Sequence, residues 1–256
     1  MPLTLIIRSA GEDVRKHHEA LAQRVVASLG LQSPARRLLV LLDDEDWQAF
    51  KAENGIANRG FYARIRPGHP HWRIAPRYIL DSVFVGGAPA YDDFVYLHGT
   101  TCADDIALTM TLAHELQHFI QHADKTPLWA ANGLVPNLDK TAIAALGLRW
   151  CDIPHEREAR IVSKRIAEDL FGPDAVRQHV DARIASPVTE QDGIDWKCIR
   201  ELAVSTPYDL AHETKLFFPR LKDYSGQLQA ALAHFQASDP DFADVNLPAL
   251  LDSSAG

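Results

Sequence analysis

The sequence predicts an α+β fold in which a small mixed or antiparallel N-terminal sheet precedes a mostly helical C-terminal half. Three observations carry this expectation. Short apolar or β-branched runs at 3–7, 37–42, 78–85 and 94–98 all fall in the first hundred residues. From residue 104 onward, apolar residues recur at the three-and-four spacing of helices. No linker, internal repeat or low-complexity tract interrupts the 256 residues, so one domain over 1–256 is expected.

Residues 3–7 open the chain as an apolar run without a preceding basic region, which fits a strand and not a signal peptide. Residues 12–29 place Val14, Leu21, Val25, Val26 and Leu29 on one helical face and stop at Gly30, a helix-ending residue. The run 37–42 ends in Asp43-Asp44 and fits a buried strand; a short helix is expected over 46–53, closed by Gly55. Between 56 and 101 Gly and Pro are frequent, and strands over 78–85 and 94–98 are expected across Gly86-Gly87-Ala88-Pro89. Helices then follow over 104–123, 139–146, 154–171, 174–185, 192–204, 208–218 and 227–237.

A net charge of −8 argues against a broad phosphate-binding surface, because cations must outnumber acids locally to hold a polyanion. The stretch 59–77 carries Arg59, Arg64, Arg66, Arg73 and Arg77 with Phe61, Tyr62 and Trp72 among them, and is expected to be a loop with solvated arginines. No window approaches the eighteen apolar residues of a membrane span. Cys102, Cys151 and Cys198 form no CxxC pair and fit buried thiols in a reducing compartment, so a cytoplasmic protein is expected. His17-His18 and His69-Pro70-His71 lack the spacing of a closed zinc site.

The chemistry lies in His114-Glu115-Leu116-Gln117-His118. On a helix, residues four apart stand one above the other, so two imidazoles at 114 and 118 reach one ion from neighbouring turns. Glu115 then points about one position round the helix, where it can take a proton from a water that zinc has acidified. Asp104 and Asp105 suit the start of such a helix, and neither Pro nor Gly interrupts 103–123. Ile106, Met110, Ala113, Leu116, Phe119 and Ile120 give it apolar surface to bury. With 12 histidines and 11 glutamates in the chain, chance supplies roughly 0.02 such motifs.

A catalytic zinc takes three protein ligands and leaves its fourth position open. Glu156 or Glu158 can supply the third, at the start of the helix expected over 154–171. The stripe Ala159, Val162, Ile166, Leu170 sets Glu156 nearer the buried face than Glu158. His122 lies one further turn along, but three histidines stacked on a straight helix span about 12 Å, which suits His122 as a neighbour of the site. Asp124 stands ten residues after His114, where metzincins place their third ligand; a resemblance to that class implies a glycine at 121, where this chain has Gln121.

The stretch Thr111-Leu112-Ala113-His114-Glu115-Leu116-Gln117-His118-Phe119-Ile120-Gln121, followed by Glu156-x-x-Ala159, resembles the gluzincin class of zinc metallopeptidases over about 60 residues. The resemblance implies a zincin-like fold, Zn2+ as the cofactor, His114, His118 and Glu156 as ligands, and Glu115 as the catalytic base. Position 160 is Arg, where the class carries Asp or Asn to orient a ligand histidine. The resemblance also implies an edge strand before the metal helix that pairs with the substrate backbone, a place held here by 94–98. It further implies a Tyr or His donor to the oxyanion, for which His155, Tyr208 and His212 are the candidates.

The expectation is therefore a zinc metallopeptidase that hydrolyses peptide or protein substrates, without membrane or nucleic-acid partners. Two alternatives share the site: a zincin-fold binding or regulatory protein with a structural zinc, and a zinc hydrolase of a non-peptide amide. An intact Glu115 speaks against the first, because a structural site has no use for a base.

Overall fold

The structure, a computed structural model, describes residues 3–8, 11–34, 36–43, 60–66, 75, 77–98 and 104–252. Its strands are β1 (Leu3–Arg8), β2 (Leu38–Asp43), β3 (Gly60–Arg64), β4 (Phe84–Val85), β5 (Ala88–Pro89) and β6 (Asp93–His98). Its helices are α1 (Glu12–Ser28), α2 (Arg77–Val83), α3 (Asp105–Asp124), α4 (Thr126–Asn132), α5 (Lys140–Ala145), α6 (Pro154–Phe171), α7 (Pro173–Ala185), α8 (Glu190–Glu201), α9 (Leu210–Phe217), α10 (Ser225–Gln236) and α11 (Leu247–Leu251). The chain forms two compact units, Met1–Phe119 with Val162–Arg200 and Ile120–Ile161 with Glu201–Gly256; α3 and α6 contribute residues to both.

Among the described residues, the first unit holds a four-stranded mixed sheet in the order β1-β2-β6-β3. β1, β2 and β6 run parallel, and β3 runs antiparallel to β6. Parallel neighbours need a crossover, which α1 supplies between β1 and β2. That helix ends as its sequence suggests: the Gly30 N–H reaches the Ala27 carbonyl at 3.0 Å with Gly30 at φ +70°. β6 is buried at every residue, as in a strand covered on both faces, which explains its unbroken apolar sequence.

Alternation along β3 and β6 sorts their side chains. Phe61, Phe94 and Tyr96 join Leu39, Leu41, Ile79 and Val83 in one cluster, so α2 covers that face. Gly60 and Tyr62 point the other way, towards α3: a Cβ on Gly60 would lie 3.4 Å from Thr111, and the Tyr62 and Phe119 rings are 6.3 Å apart. The small sheet thus packs against the helix that bears the histidines. In the same unit, Met110 of α3, Ala167 of α6, Val176 and Val180 of α7, and Trp196 and Ile199 of α8 form a helical core. The second unit is helical, with Ala130, Leu134, Phe217, Phe218, Leu228, Leu232 and Leu247 in one core.

Several expectations are corrected. Residues 78–85, expected as a strand, form α2 and only then the two-residue β4, which turns through Gly86 and Gly87 into β5. Ile79 and Val83, one turn apart and both fully buried, bring this short apolar run to the core as a helix. β3 arises where a loop was expected, and α4 was not anticipated. β6, given the place of an edge strand, pairs with a strand on each side; among the described residues β3 is the last strand of the sheet. Cys151 and Cys198 are buried but disulfide-bonded, which corrects the expected thiols: partners far apart in sequence leave no local sign. The helix expected over 46–53, and Arg59, His69, His71, Trp72, Arg73 and Cys102, lie outside the described residues. No helix among the described residues is long and apolar enough to cross a membrane.

Candidate metal centre

α3 begins where the Asp104 carboxylate accepts the Ala107 N–H at 2.8 Å, the capping its sequence suggests. Ala107, Leu108, Met110, Leu112, Ala113, Leu116 and Phe119 are buried along it, and this packing fixes the rotation of the helix. His114 and His118 therefore emerge together, His114 half-buried and His118 buried. Their rings stand edge to face with centroids 4.6 Å apart, and the two Nε2 atoms are 3.0 Å apart. Zinc–nitrogen bonds of about 2.0–2.1 Å at a tetrahedral angle require about 3.3 Å between the nitrogens. A few tenths of an ångström of ring movement meets that requirement, so the pair fits one ion. Glu115 is also buried, at 8% exposure, where a carboxylate has few waters to compete with a reacting group.

α6 presents the two glutamates differently. Glu156 is buried and salt-bridged to Arg160, whose Nη1 lies 2.5 Å from its Oε2. Glu156 Oε1 lies 3.6 Å from His155 Nε2. Glu158 is buried too, but its Oε2 accepts from Gln121 Nε2 at 2.8 Å, and the same amide donates to the His155 carbonyl at 2.8 Å. Gln121 thus ties the end of α3 to the start of α6 and occupies Glu158. One ligand atom from each of His114, His118 and Glu156 lies within 4.8 Å of the others; Glu158 is not in that group.

The remaining candidates separate clearly. His122 Nε2 lies 2.6 Å from Asp241 Oδ2, both buried, and its ring stacks on Trp129 at 4.3 Å. It is held by these partners and is not a member of the ligand group. Asp124 is exposed at the last residue of α3. Tyr208 is half-buried, and burial holds its phenol well above the usual range, with the charges of Glu213 and Glu158 adding and Arg157 opposing. The hydroxyl therefore stays a hydrogen-bond donor at neutral pH. His212 is exposed in the first turn of α9, where its backbone N–H caps onto Asp209 at 3.1 Å. His17 pairs with Asp105 at 2.8 Å, and His18 is buried. A second grouping, Cys151, Asp152 and Cys198, offers no thiolate because both sulfurs are in disulfide linkage.

Sequence reasoning missed Arg160, Gln121 and Asp241 as partners of the site residues. Arg160 had a local signal, standing one turn after Glu156 on the same face. Asp241 had none, being 119 residues from His122. Compared with protein-family models, curated proteins and solved structures, the chain matches none.

Proposed function

We propose that this protein is a zinc-dependent peptidase in which His114, His118 and Glu156 hold the metal and Glu115 is the general base. The observation that carries the reading is the convergence of three ligand atoms of the right chemistry, two imidazole nitrogens and one carboxylate oxygen, within 4.8 Å. A zinc ion bound there would lower the pKa of water and polarise the scissile carbonyl.

The chain's own residues do the rest. His114 and His118 orient two lone pairs on neighbouring turns of one packed helix. Glu156 brings a negative charge that offsets the cation, and Arg160 fixes the orientation of its carboxylate. The Glu115 carboxylate takes the proton of the attacking water and delivers it to the leaving amine nitrogen. Tyr208 and His155 are the side chains assigned to donate to the developing oxyanion.

The substrate backbone pairs with β3, the end strand of the sheet, by strand addition. Two features support β3 over β6. Its outer edge bears no other strand among the described residues, and it runs beside α3 from Thr111 to Phe119, the stretch that includes both histidines.

The test is Glu115→Gln, which keeps the shape but removes the base. Hydrolysis of a mixed peptide library by the zinc-loaded protein is expected to fall by about 100-fold or more, with zinc content unchanged. Equal activity in the two proteins rules out Glu115 as the base.

A further inference from the structure

The first unit contains a cavity of about 180 Å³ whose lining includes none of the residues assigned to the metal centre. It is lined by Lys164 and Glu168 of α6, Pro173, Arg177 and Val180 of α7, and Arg200 of α8. Three cations and one carboxylate line it; Glu168, Asp174 and Asp181 balance the charges of Lys164, Arg177 and Arg200, so what the cavity offers an anion is several cationic donors converging on one space and not a net charge.

We infer that this cavity is a binding site for a small tetrahedral oxyanion, either inorganic phosphate or the phosphate group of a small phosphomonoester. The donors support it. Arg177 meets Asp174 through Nη2 at 2.5 Å, and Arg200 meets Asp181 through Nε at 2.8 Å. A guanidinium has five N–H donors, so each of these contacts leaves most of the fork available to an anion, and forked contacts suit phosphate oxygens. Lys164 lies 4.0 Å from Glu168, at the limit of an ion pair. Burial holds its ammonium below the ordinary lysine range; Glu168 opposes this and the charge of Arg200 adds to it. An anion between Lys164 and Arg200 replaces that repulsion by two attractions.

Size restricts the ligand. Drug-sized ligands occupy pockets of about 300 Å³ or more, so this cavity takes one small ion or one phosphate group, with Pro173 and Val180 as its apolar wall.

The experiment is calorimetric titration of the full-length protein with inorganic phosphate, against sodium chloride of equal ionic strength. One saturable site is expected, at least about tenfold weaker in Arg200→Gln and in Arg177→Gln, and unchanged in Arg24→Gln, an exposed arginine on α1. Arg177 is largely exposed, so its variant keeps the test informative if Arg200→Gln misfolds. The site is expected to persist in His118→Ala, which tells it apart from phosphate bound at the metal ligands. Tighter binding of glycerol phosphate than of inorganic phosphate assigns the site to a phosphomonoester; the reverse order assigns it to the free ion. Absence of saturable binding up to about 10 mM, or equal binding by wild type, Arg200→Gln and Arg177→Gln, overturns the inference.

Discussion

The imidazoles of His114 and His118 are legible in the sequence because a four-residue interval on a helix leaves them no choice but to meet. Glu115 follows from the same periodicity. Glu156 is a subtler case: the stripe Ala159, Val162, Ile166, Leu170 sets it closer to the buried face than Glu158, yet both carboxylates end up buried. What separates them is their partners, Arg160 for Glu156 and Gln121 for Glu158. The Gln121 partnership cannot be read from a motif, and Arg160, although it stands one turn after Glu156, departs from the gluzincin pattern. The structure gives it a task, because a buried carboxylate without a cation or donor is costly and poorly oriented. Arg160→Gln is therefore expected to weaken zinc affinity by about 10–100-fold while leaving the fold intact. Competition with a fluorescent chelator measures this, and unchanged affinity removes Arg160 from the account.

At the scale of elements, the long helices were well marked, since apolar spacing, Asp104 and Gly30 each gave a physical start or stop. The failures cluster in short segments. The apolar run 78–85 fits a strand or a helix equally until tertiary contacts choose. β3 was hidden because Gly60 and Arg64 flank only three residues of suitable pattern. Gly60 is there for space: a Cβ would sit 2.5 Å from the Tyr96 carbonyl oxygen, which belongs to the paired strand and cannot withdraw. Gly60→Ala is expected to lower stability by about 1–3 kcal/mol, seen as a reduced urea midpoint; an unchanged midpoint contradicts this packing of β3.

Two residues on, the Tyr62 hydroxyl donates to Asp93 Oδ1 at 2.8 Å, and Arg36 reaches the same oxygen at 2.7 Å. Burial, then the Asp93 charge and hydrogen bond, hold the Tyr62 phenol well above its ordinary range. A raised folded-state value means that the unfolded chain releases its proton first. This contribution to stability is thus complete below about pH 10 and declines as pH rises beyond it. Tyr62→Phe is expected to cost about 1.5–3 kcal/mol at pH 7, from the hydrogen bond lost to a charged group. The difference from wild type should shrink between about pH 10 and pH 12. Chemical denaturation across that range checks both; a gap that is constant with pH contradicts the coupling.

At the scale of the molecule, the class of fold was accessible but its connectivity was not. The parallel pairing of β2 with β6 joins segments some fifty residues apart, and no local pattern encodes a partner at that distance. The same holds for the disulfide-bonded state of Cys151 and Cys198 and for the pairing of His122 with Asp241. Composition spoke to the broad charge balance yet concealed the cavity formed by α6, α7 and α8, because its members are spread over residues 164–200. The motif is local and survived this loss of long-range information. The proposed third ligand, Glu156, is not local, and on it the proposed metal centre depends.

Elemental analysis of metal content is the most direct measurement, made on zinc-supplied wild type, His118→Ala, Glu156→Ala and Glu158→Ala, each confirmed folded. The expected result is about one zinc per chain in wild type and in Glu158→Ala, with zinc lost from His118→Ala and Glu156→Ala. A wild type that stays metal-free, or a Glu156→Ala protein that keeps its zinc, contradicts the proposed centre.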